Sequence, residues 1–270
     1  MEIKVLGSVS PFCSFNRNCP GFLVTEDQTK LLLDCGNGCL SYLNPMEDLE
    51  NLVVIITHLH HDHYGDLTCL ANMSYVQHKL GYLKNKVKVY IPNDTRYRRV
   101  IKEGYEDLFG PCKLEILYLG EIEASYMDIC SYDSCHSIML EDRGISSTTK
   151  YTMHDIPCYA IRVDSSNGSL VYSADTGYRE QFFTKFAQNT DLFICESSFL
   201  REQAYNNSNN YHLCAYQAAM YAKEANVGQL MLTHFYPTID RTLYLEEAKG
   251  IFENTILAEE GMVKKIGGRV

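Results

Sequence analysis

Leu52-Val53-Val54-Ile55-Ile56-Thr57-His58-Leu59-His60-His61-Asp62-His63 is the stretch on which the fold of this 270-residue chain turns. Its first five residues are apolar and rich in β-branched side chains, the pattern of a buried strand. The strand runs directly into histidines at 58, 60, 61 and 63 and an aspartate at 62. His58 and His60 stand two residues apart, so an extended backbone points both imidazoles to one side. Asp62 and His63 follow at the turn. Imidazole and carboxylate together suit zinc, with manganese or iron as alternatives. Crowding such groups is costly without a compensating cation, so the cluster reads as a metal site rather than as packing.

The rest of the chain places more polar groups where strands stop, and strand ends of an α/β protein form the crevice for ligands. Leu170-Val171-Tyr172-Ser173-Ala174 ends at Asp175, Asp191-Leu192-Phe193-Ile194-Cys195 at Glu196, and Gln229-Leu230-Met231-Leu232-Thr233 at His234. Before the cluster, Ile3–Leu6 reads as a strand, and Gly21–Val24 with Lys30–Asp34 as a hairpin around residues 25–28. Asp34-Cys35-Gly36-Asn37-Gly38 is a glycine-marked turn. Residues 66–80 read as a helix, Lys86–Ile91 as a strand and 94–108 as a helix. Short strands are expected through 112–163, interrupted by a polar loop at 141–150. An Asn- and Ser-rich loop at 206–210 precedes a helix from Ala215 to Ala225, and a helix near 242–258 closes the chain. Neither a repeat nor a linker is visible, which predicts one α/β domain over residues 1–270.

Composition narrows the function classes. Hydrophobic residues make up 46% and charged residues 21%, the balance of a chain with a full core, which excludes general disorder. No apolar run reaches the ~18 residues of a spanning helix, and the start has no leader-like pattern, so a cytoplasmic location is expected. Among the 11 cysteines no C-x-x-C pair suggests a zinc knuckle. Cys35, Cys69, Cys158 and Cys195 sit in apolar runs and read as reduced, buried small hydrophobes. The net charge of −10 argues against broad nucleic-acid binding. One basic patch, Arg96, Arg98, Arg99 and Lys102, reads as the solvated side of a helix.

Thr57–Asp66 matches the H-x-H-x-D-H signature of the metallo-β-lactamase superfamily, which the chain resembles over most of its length. Leu31–Gly36 looks like its early D-x-G turn, Tyr172–Gly177 like its bridging-aspartate motif, and Leu232-Thr233-His234 like its final histidine. Cys195–Phe199, then Tyr211-His212-Leu213, then Leu232–Phe235 are most similar to the ribonuclease Z branch. The resemblance implies a four-layer αββα sandwich, two mixed β-sheets flanked by helices, and two adjacent divalent metal ions. His58, His60 and a third histidine would form one site, and Asp62, His63 and His234 the other, with Asp175 bridging. The third histidine is His154 or His136. His154 is preferred, because a proline and an apolar strand follow it at a short distance before Asp175. His61 falls at a variable position and should point away, and His78 has no motif around it.

In the family, two metals about 3.5–4 Å apart activate a water as hydroxide. Asp62 could orient that water, and His212, supported by Glu196, would protonate the leaving oxygen. Ribonuclease Z enzymes carry a tRNA-gripping arm between the third histidine and the bridging aspartate. Here one strand and a Ser-Ser-Asn-Gly turn separate His154 from Asp175. That favours a small phosphodiester or nucleotide as substrate over tRNA 3′ processing. A lactonase or thioesterase remains an alternative with the same metals, a non-catalytic metal-binding module is the weakest reading, and a homodimer is a family-level expectation.

Overall fold

The computed structural model describes residues 1–93, 126–132, 138–140, 144–205 and 211–267. The expected helix at 94–108, the basic patch at 96–102, His136 and the loop at 206–210 lie outside them.

Among the described residues, two seven-stranded sheets carry the fold. The first has the order β14-β1-β2-β3-β4-β5-β6, from β1 (Glu2–Gly7), β2 (Gly21–Glu26), β3 (Thr29–Leu33), β4 (Leu52–Ile55), β5 (Val87–Pro92), β6 (Met127–Tyr132) and β14 (Val263–Lys265). The second has the order β13-β12-β11-β10-β9-β8-β7, from β7 (Ile138–Leu140), β8 (Ile145–Tyr151), β9 (Tyr159–Ser165), β10 (Ser169–Tyr172), β11 (Leu192–Glu196), β12 (Gln229–Thr233) and β13 (Thr255–Leu257). Each is mixed: β3 to β6 are parallel, as are β10 to β13, and the remaining pairings are antiparallel.

Strand alternation sorts the side chains into layers. Leu31, Leu33, Val53 and Ile55 of the first sheet meet Ile161, Val163, Leu170, Tyr172 and Ile194 of the second in the central core. The alternate residues Leu32, Val54 and Val89 face outward, onto Leu67, Leu70 and Ala71 of a helix at Leu67–Lys79. On the far side Val171, Phe193 and Leu232 pack against Ala215, Ala218 and Ala222 of a helix at Ala215–Glu224, and with Tyr244 and Ala248 of one at Arg241–Lys249. The layer order is α-β-β-α, as the resemblance implies. We number the helices α1 (His61–Tyr64), α2 (Leu67–Lys79), α3 (Arg201–Tyr205), α4 (Ala215–Glu224) and α5 (Arg241–Lys249).

Three expectations are corrected. Residues 145–150 of the expected polar loop are strand β8, paired with both β7 and β9. Their Ser and Thr side chains conceal the pairing, while Ile145 and Ser147 still turn inward. The closing helix stops at Lys249, and Thr255–Leu257 instead extends the parallel ladder beside β12. Cys69 is exposed, because it faces away from the α2 stripe of Leu67, Leu70 and Ala71. Cys35, Cys158 and Cys195 are buried free thiols. Among the described residues no helix is long and apolar enough to cross a membrane.

Phe193 is fully buried between β11 and the outer helices. Phe193→Ala is expected to lower the unfolding free energy by about 3–5 kcal/mol, read as a fall in the urea midpoint at constant m-value. A loss under about 1 kcal/mol would contradict this packing.

Candidate metal centre

The candidate ligands come from the carboxyl ends of strands in both sheets. β4 delivers Thr57 to His63, with α1 beginning at His61. β10, β11 and β12 deliver Asp175, Glu196 and His234. Asp34, Ala174 and His234, each just beyond a strand or at its tip, hold left-handed backbone (φ 59°, 51° and 63°). That conformation costs a non-glycine residue about 1 kcal/mol or more and is characteristic of functional corners. Gly36 is required by contact: a Cβ there would collide with the Asp62 carbonyl.

His58, His60, His154 and Asp175 form one group that could hold a metal ion, and Asp62, His63 and His234 a second, with ligand atoms within 4.8 Å of one another in each. Asp175 joins the two groups. Its Oδ2 lies 3.5 Å from His58 Nε2 and 3.9 Å from His154 Nε2, and its Oδ1 lies 3.4 Å from His63 Nε2 and 3.1 Å from His234 Nε2. His61 is exposed and bonds Tyr64, outside both groups, and His78 is exposed on α2.

Ring orientation is set from behind. His63 Nδ1 donates to Asp34 Oδ2 at 2.7 Å, His58 Nδ1 to Thr57 Oγ1 at 3.0 Å, and His234 Nδ1 to Ser198 Oγ at 2.8 Å. His154 Nδ1 donates to the Tyr211 carbonyl at 3.4 Å. With Nδ1 tied back, each Nε2 is aimed at the centre, where it can ligate a cation once it carries no proton. His60 differs, its Nδ1 lying 3.1 Å from His154 Nε2. Imidazole nitrogens this close, in this part-buried pair and in the buried pair His63 Nε2 and His234 Nε2 at 3.2 Å, need a shared proton or a cation between them. Among the described residues, His58 Nε2 and Asp175 Oδ1 are buried without a hydrogen-bond partner. Orphaned atoms within a nitrogen- and carboxylate-rich cage, one in each candidate group's reach of Asp175, are what a metal ion would satisfy.

The electrostatics agree with an anionic cage. Burial drives His58 well below the ordinary imidazole range. Burial also opposes protonation of His63 and His234, yet Asp175 and neighbouring carboxylates overcome it, raising His63 and pushing His234 up to about 10. Against burial, the surrounding histidines hold Asp62 and Asp175 well below the usual carboxylate range.

His212 forms a third group of candidate ligands with Asp175 and His234, its ligand atom within 4.8 Å of theirs. Its Nδ1 donates to Glu196 Oε1 at 3.0 Å, closer than the 3.8 Å to Asp175 Oδ2. Glu196 is buried and also accepts from Thr176 N, Leu213 N and Ser198 Oγ.

A profile of the family described as anti-Pycsar protein Apyc1 matches residues 1–243. The chain belongs to this family. The Apyc1-family chain is 27% identical to the probable metallo-hydrolase YhfI of Bacillus subtilis over 265 residues, 97% of this chain and 99% of that one. The crystal structure of YhfI, a metallo-β-lactamase fold protein, matches with a TM-score of 0.80 over 97% of this chain and 98% of the other. Ribonuclease Z of Archaeoglobus fulgidus is 28% identical over 302 residues, 97% of this chain and 96% of its own. The short form of human tRNase Z shares the fold at 21% identity, with a TM-score of 0.72 over 98% of this chain and 99% of that one. The Apyc1-family chain is thus a metal-dependent hydrolase with the metallo-β-lactamase fold and a His/Asp cluster able to hold metal ions.

Asp34, Thr57, Ser10 and Ser198 support the cluster and were not singled out as site residues from the sequence. Asp34 carried a signal at an apolar strand's end before a glycine, Thr57 and Ser198 fell inside the quoted motifs, and Ser10 had none. Asp34 is fully buried and accepts from Thr57 N, Thr57 Oγ1, His63 Nδ1 and Tyr172 Oη. Asp34→Asn, which turns an amide donor on these donors, is expected to weaken metal binding roughly 10- to 100-fold, measured by chelator competition. Tyr172→Phe, which removes one donor and keeps the carboxylate, should cost far less. Equal losses would deny Asp34 its orienting role. Because imidazoles must shed protons to bind metal, apparent affinity should fall from about pH 8 to about pH 6, with proton release on loading. A pH-independent affinity would count against histidine ligation.

Proposed function

We propose that this hydrolase cleaves a small phosphodiester of the cyclic-nucleotide or short nucleotide-ester class. The observation that carries the reading is His212 held by buried Glu196 beside the shared Asp175 group. Glu196 tethers Nδ1, which leaves Nε2 of this part-buried ring free to give a proton. Burial opposes protonation of His212, but the Glu196 charge and hydrogen bond outweigh it, so the ring's affinity for a proton is raised. A protonated imidazole there can neutralise an alkoxide as it leaves phosphorus.

His58, His60, His154 and Asp175 would hold one divalent ion, and Asp62, His63 and His234 a second that shares Asp175. Zinc suits such a donor set, with manganese or iron as alternatives. When bound, such ions lower the pKa of a coordinated water and polarise the phosphoryl group. Asp62 stays ionised and accepts from Ser10 Oγ at 2.6 Å, so its carboxylate is fixed to accept a proton or orient a nucleophilic water. The hairpin between His154 and Asp175 favours a small substrate. It consists of β9, β10 and the turn between them, with no arm to grip a folded RNA. The net charge of −10 further disfavours a polyanion.

His212→Ala is expected to lower kcat on a cyclic nucleotide by about 10²–10⁴-fold, with metal content by elemental analysis unchanged. Undiminished turnover would remove His212 from the chemistry. In a panel of cyclic nucleotides, bis-p-nitrophenyl phosphate, a lactone and a tRNA precursor, the wild type should favour the small phosphodiesters. Preferential opening of the lactone, or cleavage of the precursor alone, would overturn the reading.

A further inference from the structure

Asp155 belongs to none of the three groups of candidate ligands, yet it stands among the nitrogens of the first. It follows His154 directly in the chain. Its Oδ1 lies 3.2 Å from His154 Nε2 and 3.7 Å from His60 Nε2. Asp175 Oδ2 is further from the same His154 nitrogen, at 3.9 Å. The two carboxylates also differ in their access to water. The Asp175 side chain is 3% exposed and the Asp155 side chain 46%, beside a His60 side chain that is 38% exposed. Asp155 and His60 thus form the solvent-facing side of the first group, and Asp175 its inner side.

An unprotonated imidazole nitrogen and an ionised carboxylate oxygen both present lone pairs, so at 3.2 Å they repel unless a proton or a cation lies between them. His154 Nδ1 is already tied to the Tyr211 carbonyl, which leaves Nε2 as the nitrogen turned to Asp155. Donors that share one tetrahedral zinc at about 2.0–2.2 Å lie roughly 3.3–3.6 Å from each other. The Asp155 oxygen stands close to that spacing from both rings. We propose that Asp155 is a further metal ligand of the first group and closes its solvent side. The donors there become His58, His60, His154, Asp155 and the shared Asp175, against Asp62, His63, His234 and Asp175 in the second. One more anionic donor on one side makes the two sites unequal in affinity. Asp155, half in water, regains its hydration at little cost when it lets go of a cation, whereas Asp175 is locked in the interior. The inference rests on reading the groups as metal sites and adds a donor from outside the H-x-H-x-D-H motif.

The test titrates cobalt(II) into the metal-free full chain under chelator competition and follows the visible absorption of the bound ion. Wild type should take up two equivalents. Asp155→Asn should weaken one of them by roughly tenfold or more and shift its absorption band, because a donor to the ion has changed, while the other equivalent keeps its affinity. Asp155→Glu, which restores a carboxylate, should recover affinity. The loss in the asparagine variant should persist from low to high salt, since a ligand bond is not screened as a distant exposed charge is. Affinities and a spectrum equal to wild type would overturn the assignment. So would a loss that high salt abolishes, or one shared equally by both equivalents. Each of these results leaves the metal sites themselves standing as long as wild type binds its two equivalents, and a wild type that binds no cobalt would defeat both readings.

Discussion

A single buried carboxylate organises the meeting of the two sheets. Asp34 is wholly shielded from water, and an unpartnered charge there would cost several kcal/mol. It survives because backbone, hydroxyl, imidazole and phenol donors surround it. Thr57 follows β4 of the first sheet, His63 lies in α1, and Tyr172 ends β10 of the second. Those bonds bring β3, β4 and β10 together at one point and turn His63 so that its Nε2 looks inward. The left-handed backbone at Asp34 is what lets the carboxylate point back among its donors. Remove the ring of donors and neither the seam nor the imidazole orientation has a cause.

Around that anchor the cluster repeats one device. An imidazole is fixed through its Nδ1 by a group behind it: a carboxylate for His63, hydroxyls for His58 and His234, a carbonyl for His154. Ser198 links two such units, since it serves His234 and donates to Glu196, which in turn holds His212. The candidate metal-ligating histidines and the proposed acid therefore share one hydrogen-bonded frame, in which the position of each ring depends on its neighbours.

Much of this was legible in the residues. Strand β4 was read correctly because an apolar β-branched run cannot be mistaken for surface, and the histidines after it stood out because so many imidazoles in six positions have no packing explanation. Asp175, Glu196 and His234 stood out for a related reason, as polar groups ending apolar strands. What escaped was set by tertiary pairing. Nothing local in Ser146-Ser147-Thr148-Thr149 announces a strand, since its ladder comes from β7 and β9. Thr255–Leu257 looked like the end of a helix until β12 was present to pair with it. Cys69 was misread because an apolar run does not say which side of a helix a residue takes. The partners of Asp34 were invisible because they lie 23, 29 and 138 positions away.

The donors that could hold metal come from both sides of the central core: His58 to His63 extend the first sheet, and Asp175 and His234 the second. An ion among them would act as a rivet through the sandwich. Whatever free energy the ion contributes on binding is then also free energy holding the halves closed, so cohesion rises with the ion's concentration by simple mass action. Cellular supply of the ion would in that way set the lifetime of the folded chain as well as its catalytic capacity.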